Sequence, residues 1–148
     1  MRLSSSSDEM AVGHLIGRAR SALLTGLDTE LEPFGLTGAQ FAVLKHVADG
    51  TAETAADLCR TMHYDTGSMT RMLDRLEEKR VLRRERCTHD RRVVYLRMTS
   101  TGTSLLPQLR TAAVRVLTRM LAGFSPGEVE NLKQYLDRMI ENEQPVSS

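Results

Sequence analysis

Between Thr66 and Arg97 the chain carries ten basic residues: Arg71, Arg75, Lys79, Arg80, Arg83, Arg84, Arg86, Arg91, Arg92 and Arg97. Five acidic residues oppose them, so the stretch has a net charge of +5 while the whole 148-residue chain carries only +1. Nine of the ten are arginine, whose planar fork of N–H donors matches phosphate oxygens and the edge of guanine. The chemistry on offer is recognition of a polyanion, with no covalent step. Thr66, Ser68 and Thr70 precede Arg71 and carry short hydroxyls that allow a partner surface to come close, with Met69 among them. Further on, Asp90 stands beside Arg91 and Arg92. An acid there faces a polyanion unproductively. Its better use is to hold a neighbouring arginine through a bidentate pair.

Other chemistries lack their residues. There is no Gly-x-Ser-x-Gly, no glycine-rich phosphate loop, no paired-carboxylate motif and no His-Glu-x-x-His. The reading is therefore a non-enzyme with no cofactor. The four histidines, His14, His46, His63 and His89, lack the spacing of a metal site. Cys59 and Cys87 are too few for a disulfide scaffold. No apolar run reaches the roughly 20 residues of a membrane span, and Arg2 is not followed by the apolar core of an export signal. The sequence thus reads as a cytoplasmic protein with no membrane partner. Aromatic residues make up only 4% of the chain, so Leu, Met, Val and Ala must fill the core, which favours helix packing over a large sandwich.

The elements that must position the arginines follow from periodicity and caps. A first helix starts near Asp8 and runs to about Glu32, ahead of Pro33 and Gly35. Thr37 caps a second, ended by Asp49-Gly50. Thr54 caps a short third, Ala55 to about Met62. After a turn at His63-Tyr64, Asp65 or Thr66 caps a fourth ending near Lys79. Met69, Leu73 and Leu76 form its inner stripe, with Ser68, Arg71 and Arg75 pointing elsewhere. Val81–Arg86 and Val93–Met98 read as two strands joined by a polar turn, a β-hairpin. Arg83, Arg84 and Arg86 alternate on the first strand and cannot share a face. A helix from Thr99 and a last one from Ser125-Pro126-Gly127-Glu128 complete the chain, with Leu132 and Leu136 in the last apolar stripe. The fold class is mainly α with a small β-hairpin, in the order α–α–α–α–β–β–α–α. A short helix, a turn, a helix with a basic outward face and a basic hairpin make a winged helix-turn-helix. Its second helix fits the DNA major groove and its arginine-tipped hairpin suits a narrow minor groove. The residues expected on DNA are Thr66, Ser68, Met69, Thr70, Arg71, Arg75, Arg84, Asp90, Arg91 and Arg92.

Three segments, in order, carry a resemblance. Leu36-Thr37-Gly38-Ala39-Gln40-Phe41-Ala42-Val43-Leu44 is the first, and Thr70 through Lys79 with Val81-Leu82-Arg83-Arg84 the second. Asp90-Arg91-Arg92 through Thr99-Ser100-Thr101-Gly102 is the third. With these the chain resembles the multiple antibiotic resistance regulator (MarR) family over about Val12 to Glu143. The resemblance implies a homodimer with an intertwined helical dimerisation layer from residues 8–35 and 100–143. It implies a DNA-binding lobe at 37–99 that holds a pseudo-palindromic duplex operator, usually as a repressor. Residues 1–7 and 144–148 are expected to be disordered tails.

The resemblance also implies release by a small aromatic or phenolic carboxylate. His14, Arg18, His46, Met62 and His63 are the candidate contacts, with Arg18 suited to the carboxylate. Two other readings compete. One is a ligand-sensing or protein-interaction adaptor that has lost DNA binding, against which the intact wing argues. The other is a redox sensor using Cys59 or Cys87, although the cysteine that peroxide-sensing relatives carry near the start of the first helix is absent here.

Overall fold

The computed structural model describes residues 6–144, so the tails at 1–5 and 145–148 lie outside the described residues. Helix α1 spans Ser6–Leu31, α2 Gly38–Ala48, α3 Ala55–Met62 and α4 Thr66–Glu78. Strands β1 (Leu82–Arg86) and β2 (Val94–Met98) follow, then α5 (Ser100–Met120) and α6 (Pro126–Glu143). Helix α1 begins two residues earlier than Asp8 predicts. Ser6 and Ser7 are helical rather than part of a tail, and Asp8 and Glu9 lie in the first turn, where acids suit the helix dipole.

Caps set most of the boundaries. Thr37 accepts from the Gln40 amide at 3.1 Å while Gln40 Oε1 accepts from the Thr37 amide at 3.1 Å, a reciprocal capping box at the start of α2. Thr54 and Asp57 repeat it for α3, with bonds of 3.0 and 3.1 Å. The amide of Glu53, and then that of Thr54, hold the Asp57 carboxyl below its ordinary pKa. Asp65 caps α4, Ser125 caps α6, and the Thr99 hydroxyl accepts from the Gly102 amide at 3.0 Å at the start of α5.

Two helices end on left-handed residues that are not glycine. His63 closes α3 at φ 55° and Arg80 follows α4 at φ 59°. Behind each, an amide reaches back to the last turn: Tyr64 to the Cys59 carbonyl at 3.1 Å and Val81 to the Leu76 carbonyl at 3.3 Å. His63 therefore occupies its place because the turn between α3 and α4 demands that backbone.

The chain divides into two compact units between Val116 and Leu117. In the first, one core joins α1, α2, α3, α4, the hairpin and the first part of α5 through Leu31, Leu44, Leu58, Leu73, Leu76, Leu96 and Leu109, all buried. The hairpin is antiparallel, in register from Leu82 opposite Met98 to Arg86 opposite Val94. A β-bridge between Thr54 and Tyr95 and a 2.9 Å bond from the Leu96 amide to the Glu53 carbonyl add the segment before α3 as a short third ribbon. That pairing is too brief to show in a period-two pattern. Gly102 lets α5 leave the hairpin closely, since a Cβ there would stand 2.1 Å from the Val81 carbonyl oxygen. In the second unit, α6 has no buried residue; Val129 and Leu132 are half-buried, and Leu136, Met139 and Ile140 are exposed.

Candidate nucleic-acid interface

Helix α4 is docked by its inner stripe of Met69, Leu73 and Leu76, each at most 2% exposed. The helical period then turns Thr66, Thr70, Arg71 and Arg75 outward, and all four are exposed. Met69 is a correction to the expected set. At 1% exposure it belongs to the core and cannot reach a base.

The first turn of α4 is polarised by Asp65. Its carboxylate accepts from the Ser68 amide and from the Ser68 hydroxyl, both at 2.8 Å. The first of these bonds contributes most to lowering the Asp65 pKa from its usual value. Arg71 folds back to donate to Ser68 Oγ at 3.2 Å. The Thr70 hydroxyl donates to the Thr66 carbonyl at 2.8 Å. Both hydroxyl hydrogens are thus spent within the helix. What Ser68 and Thr70 present outward is acceptor lone pairs, which suit the exocyclic amines of adenine and cytosine.

The wing tip is equally ordered. Asp90 grips Arg92 in the bidentate manner anticipated: Oδ1 to Nε and Oδ2 to Nη2, both at 3.1 Å, and the Arg92 amide adds a 3.0 Å bond to Oδ1. The Arg92 guanidinium is the main cause that holds the Asp90 carboxyl below its ordinary pKa. Arg86 Nη1 donates to the Arg91 carbonyl at 2.9 Å, which closes the turn from the strand side. The exposed Arg91 side chain has no hydrogen-bond or ion-pair partner among the described residues.

Arg84 is the second correction. Its Nε lies 2.7 Å from Glu77 Oε1, and its Nη2 pairs with Asp74. The Glu77 bond, then that to Asp74, raises its pKa. A guanidinium shared between two α4 carboxylates ties the wing to the helix and has little left for a phosphate. Arg97 is similarly engaged, 3.5 Å from Glu85 and over the Tyr95 ring. Arg86, which strand alternation did not single out, is exposed beside the wing tip. It lines a cavity of about 350 Å³ with Ala55, Thr70, Leu73, Arg84 and Val94.

The proposed effector residues are not brought together in that way. His14 and Arg18 sit one turn apart on an exposed stretch of α1. His46 Nδ1 shares a 2.8 Å hydrogen bond with Thr51 Oγ1, and Met62 is half-buried against the core. Neither that cavity nor a second one along Ser100, Thr101, Ser104, Leu105 and Gln108 of α5 is lined by any of the five. Cys59 packs against the core and Cys87 is half-buried, less open than its place near the hairpin tip suggests. Among the described residues no helix is long and apolar enough to cross a membrane.

The sequence model of the MarR family matches residues 34–93, the span from the end of α1 to the wing. A mutant MarR from E. coli, solved with operator DNA, superposes with a TM-score of 0.79 at 27% identity, covering 92% of this chain and 99% of that one. Over the matched span 34–93 the chain is similar to the MarR family. BpsR of Bordetella bronchiseptica, solved in work on regulation of its DNA binding by 6-hydroxynicotinic acid, is similar at 26% identity with a TM-score of 0.78, covering 87% and 98%. The transcriptional regulator BldR from Sulfolobus solfataricus shares the fold at 20% identity, with a TM-score of 0.83 over 95% of this chain and 99% of that one. In MarR-family terms α3 and α4 are the helix-turn-helix and β1–β2 the wing, and the family's proteins are transcription regulators rather than enzymes.

Proposed function

We propose that this chain is a MarR-family, sequence-specific double-stranded DNA-binding regulator that acts as a homodimer on a pseudo-palindromic operator, most simply as a repressor. One observation carries the reading: α4 presents Thr66, Ser68, Thr70, Arg71 and Arg75 outward while the wing offers an unpaired Arg91 beside an Arg92 fixed by Asp90. The helix suits the major groove and the two arginines suit the minor groove beside it. Residues 37–99 form the DNA-binding lobe. Residues 8–35 and 100–143 supply the dimer contacts. Met10, Val12, Leu15 and Ile16 on α1 and Tyr135, Leu136, Met139 and Ile140 on α6 support this, being large, apolar and at least 40% exposed. A small aromatic or phenolic carboxylate is the proposed effector, with His14, Arg18, His46, Met62 and His63 as its candidate contacts. That the B. bronchiseptica relative was studied with 6-hydroxynicotinic acid supports this class of ligand.

The test is binding of the purified protein to its own upstream intergenic DNA against scrambled DNA, titrated in salt. The expected result is specific binding with log affinity falling steeply against log salt. Arg91→Ala should weaken it about tenfold or more and reduce the slope by about one. Absence of binding to either duplex at low salt would remove the reading, and equal weak binding to both would favour the adaptor alternative.

A further inference from the structure

Lys79 sits at the C-terminal end of α4, in a stretch whose cations invite assignment to phosphates. Its ammonium turns the other way. Nζ donates to the Gly35 carbonyl and, at 2.8 Å, to Gln40 Oε1. Gln40 is only 4% exposed, and the same oxygen already accepts from the Thr37 amide at 3.1 Å. A buried acceptor of this kind is costly to leave short of a donor. The ammonium also lies where the helix dipole favours a cation.

The partners of Lys79 belong to the junction of α1 and α2. That junction is itself pinned, because Asp28 of α1 accepts from the Gly38 amide of α2 at 2.7 Å. Gly35, in the left-handed region at φ 69°, turns its carbonyl into the same junction. Polar links therefore run without a gap from α1 through Asp28 and Gly38 to α2, and through Gln40 and Lys79 to the end of α4. The other polar tether of α4, Glu77 and Asp74 on Arg84, leads only to the wing. The inner stripe fixes how deeply α4 sits. Lys79 ties its far end to the helix whose first half carries the exposed apolar residues.

We propose that Lys79 is a positioning residue: it makes no phosphate contact but holds α4 at a set angle to α1 and so fixes the half-site spacing the protein reads. This rests on the DNA-binding reading above. The test uses the full-length protein and the duplex it selects from a randomised pool, together with versions lengthened or shortened at the centre by one or two base pairs. Lys79→Met should bind the selected duplex about tenfold more weakly, discriminate less among the spacings, and keep the wild-type salt slope. Arg75→Met, which removes an outward arginine, should instead reduce the slope by about one and leave the spacing preference intact. Lys79→Arg should retain most of the affinity. If Lys79→Met does not fold, Lys79→Gln, which keeps N–H donors without the charge, carries the same comparison. A slope reduced by about one in the Lys79 variant would show a phosphate contact and overturn the proposal, as would wild-type affinity with wild-type spacing preference. Failure of the wild-type protein to select any duplex would overturn the DNA-binding reading and this proposal with it.

Discussion

The lobe from Thr37 to Thr99 and the helix α6 are built to opposite rules. In the lobe, the apolar residues that face inward are covered: Leu44, Leu58, Leu73, Leu76 and Leu96 are at most 2% exposed. Its polar groups are mostly committed too, through capping boxes, the Arg84 pair and the Asp90–Arg92 clasp. Helix α6 fully buries none of its residues, yet its cap is as well formed as any in the lobe, with Ser125 Oγ accepting from the Glu128 amide at 3.1 Å. Good local signals with an exposed apolar face fit the dimer contacts proposed for α6. On the proposed dimer reading, the lobe needs no second chain to bury its core, whereas α6 does.

The largest expected effect tests how closely the start of α5 packs on the lobe. Gly102→Ala brings a Cβ against the Val81 carbonyl, a rigid neighbour, and should cost about 3 kcal/mol. Gly13→Ala on α1 meets nothing within 4 Å and should instead stabilise by about 0.5–1 kcal/mol. Urea melts of the two variants give the contrast directly, and equal effects would break it. Next, Leu136→Glu combined with Ile140→Glu should leave the circular dichroism of the lobe unchanged, shift sedimentation toward monomer, and weaken operator binding by about a hundredfold. A variant that remained dimeric would show that α6 is uncovered for another reason. The smallest effect concerns the left-handed Arg80. Arg80→Gly should raise the melting temperature slightly, by about 1 kcal/mol of stability at most, because glycine takes that backbone without a steric cost. Destabilisation would mean that the Arg80 side chain supplies more than the strain it carries.

Much of this was legible in the sequence, because helix ends announce themselves locally. Thr37, Thr54 and Ser125 are caps as read, α3 spans Ala55–Met62 as read, and of the two candidates for α4 the structure takes Asp65 over Thr66. The bidentate use of Asp90 also followed from the chemistry of an acid beside arginines at a polyanion site. What stayed hidden depends on partners distant in the chain. Arg84 reads as another cation until the fold places Asp74 and Glu77 against it. Lys79 is similar, since its acceptors lie 39 and 44 residues away. Met69 shows the reverse error. Its period already assigned it to the inner stripe with Leu73 and Leu76, and proximity to the start of the helix was the weaker argument. The effector residues were chosen from resemblance and helix spacing, neither of which specifies a cavity wall.

The Asp90–Arg92 clasp has a consequence for time as well as for place. A loop tip that must be ordered on contact gives up chain entropy at that moment and slows docking. Here the carboxylate, the Arg92 amide and the Arg86 bond to the Arg91 carbonyl have already settled the tip's shape before any duplex arrives. The cost of ordering is met when the chain folds. If the tip docks in a groove as proposed, encounter leaves mainly the Arg91 guanidinium still to be placed, so changes at the tip should register in the residence time of the complex more than in its rate of formation.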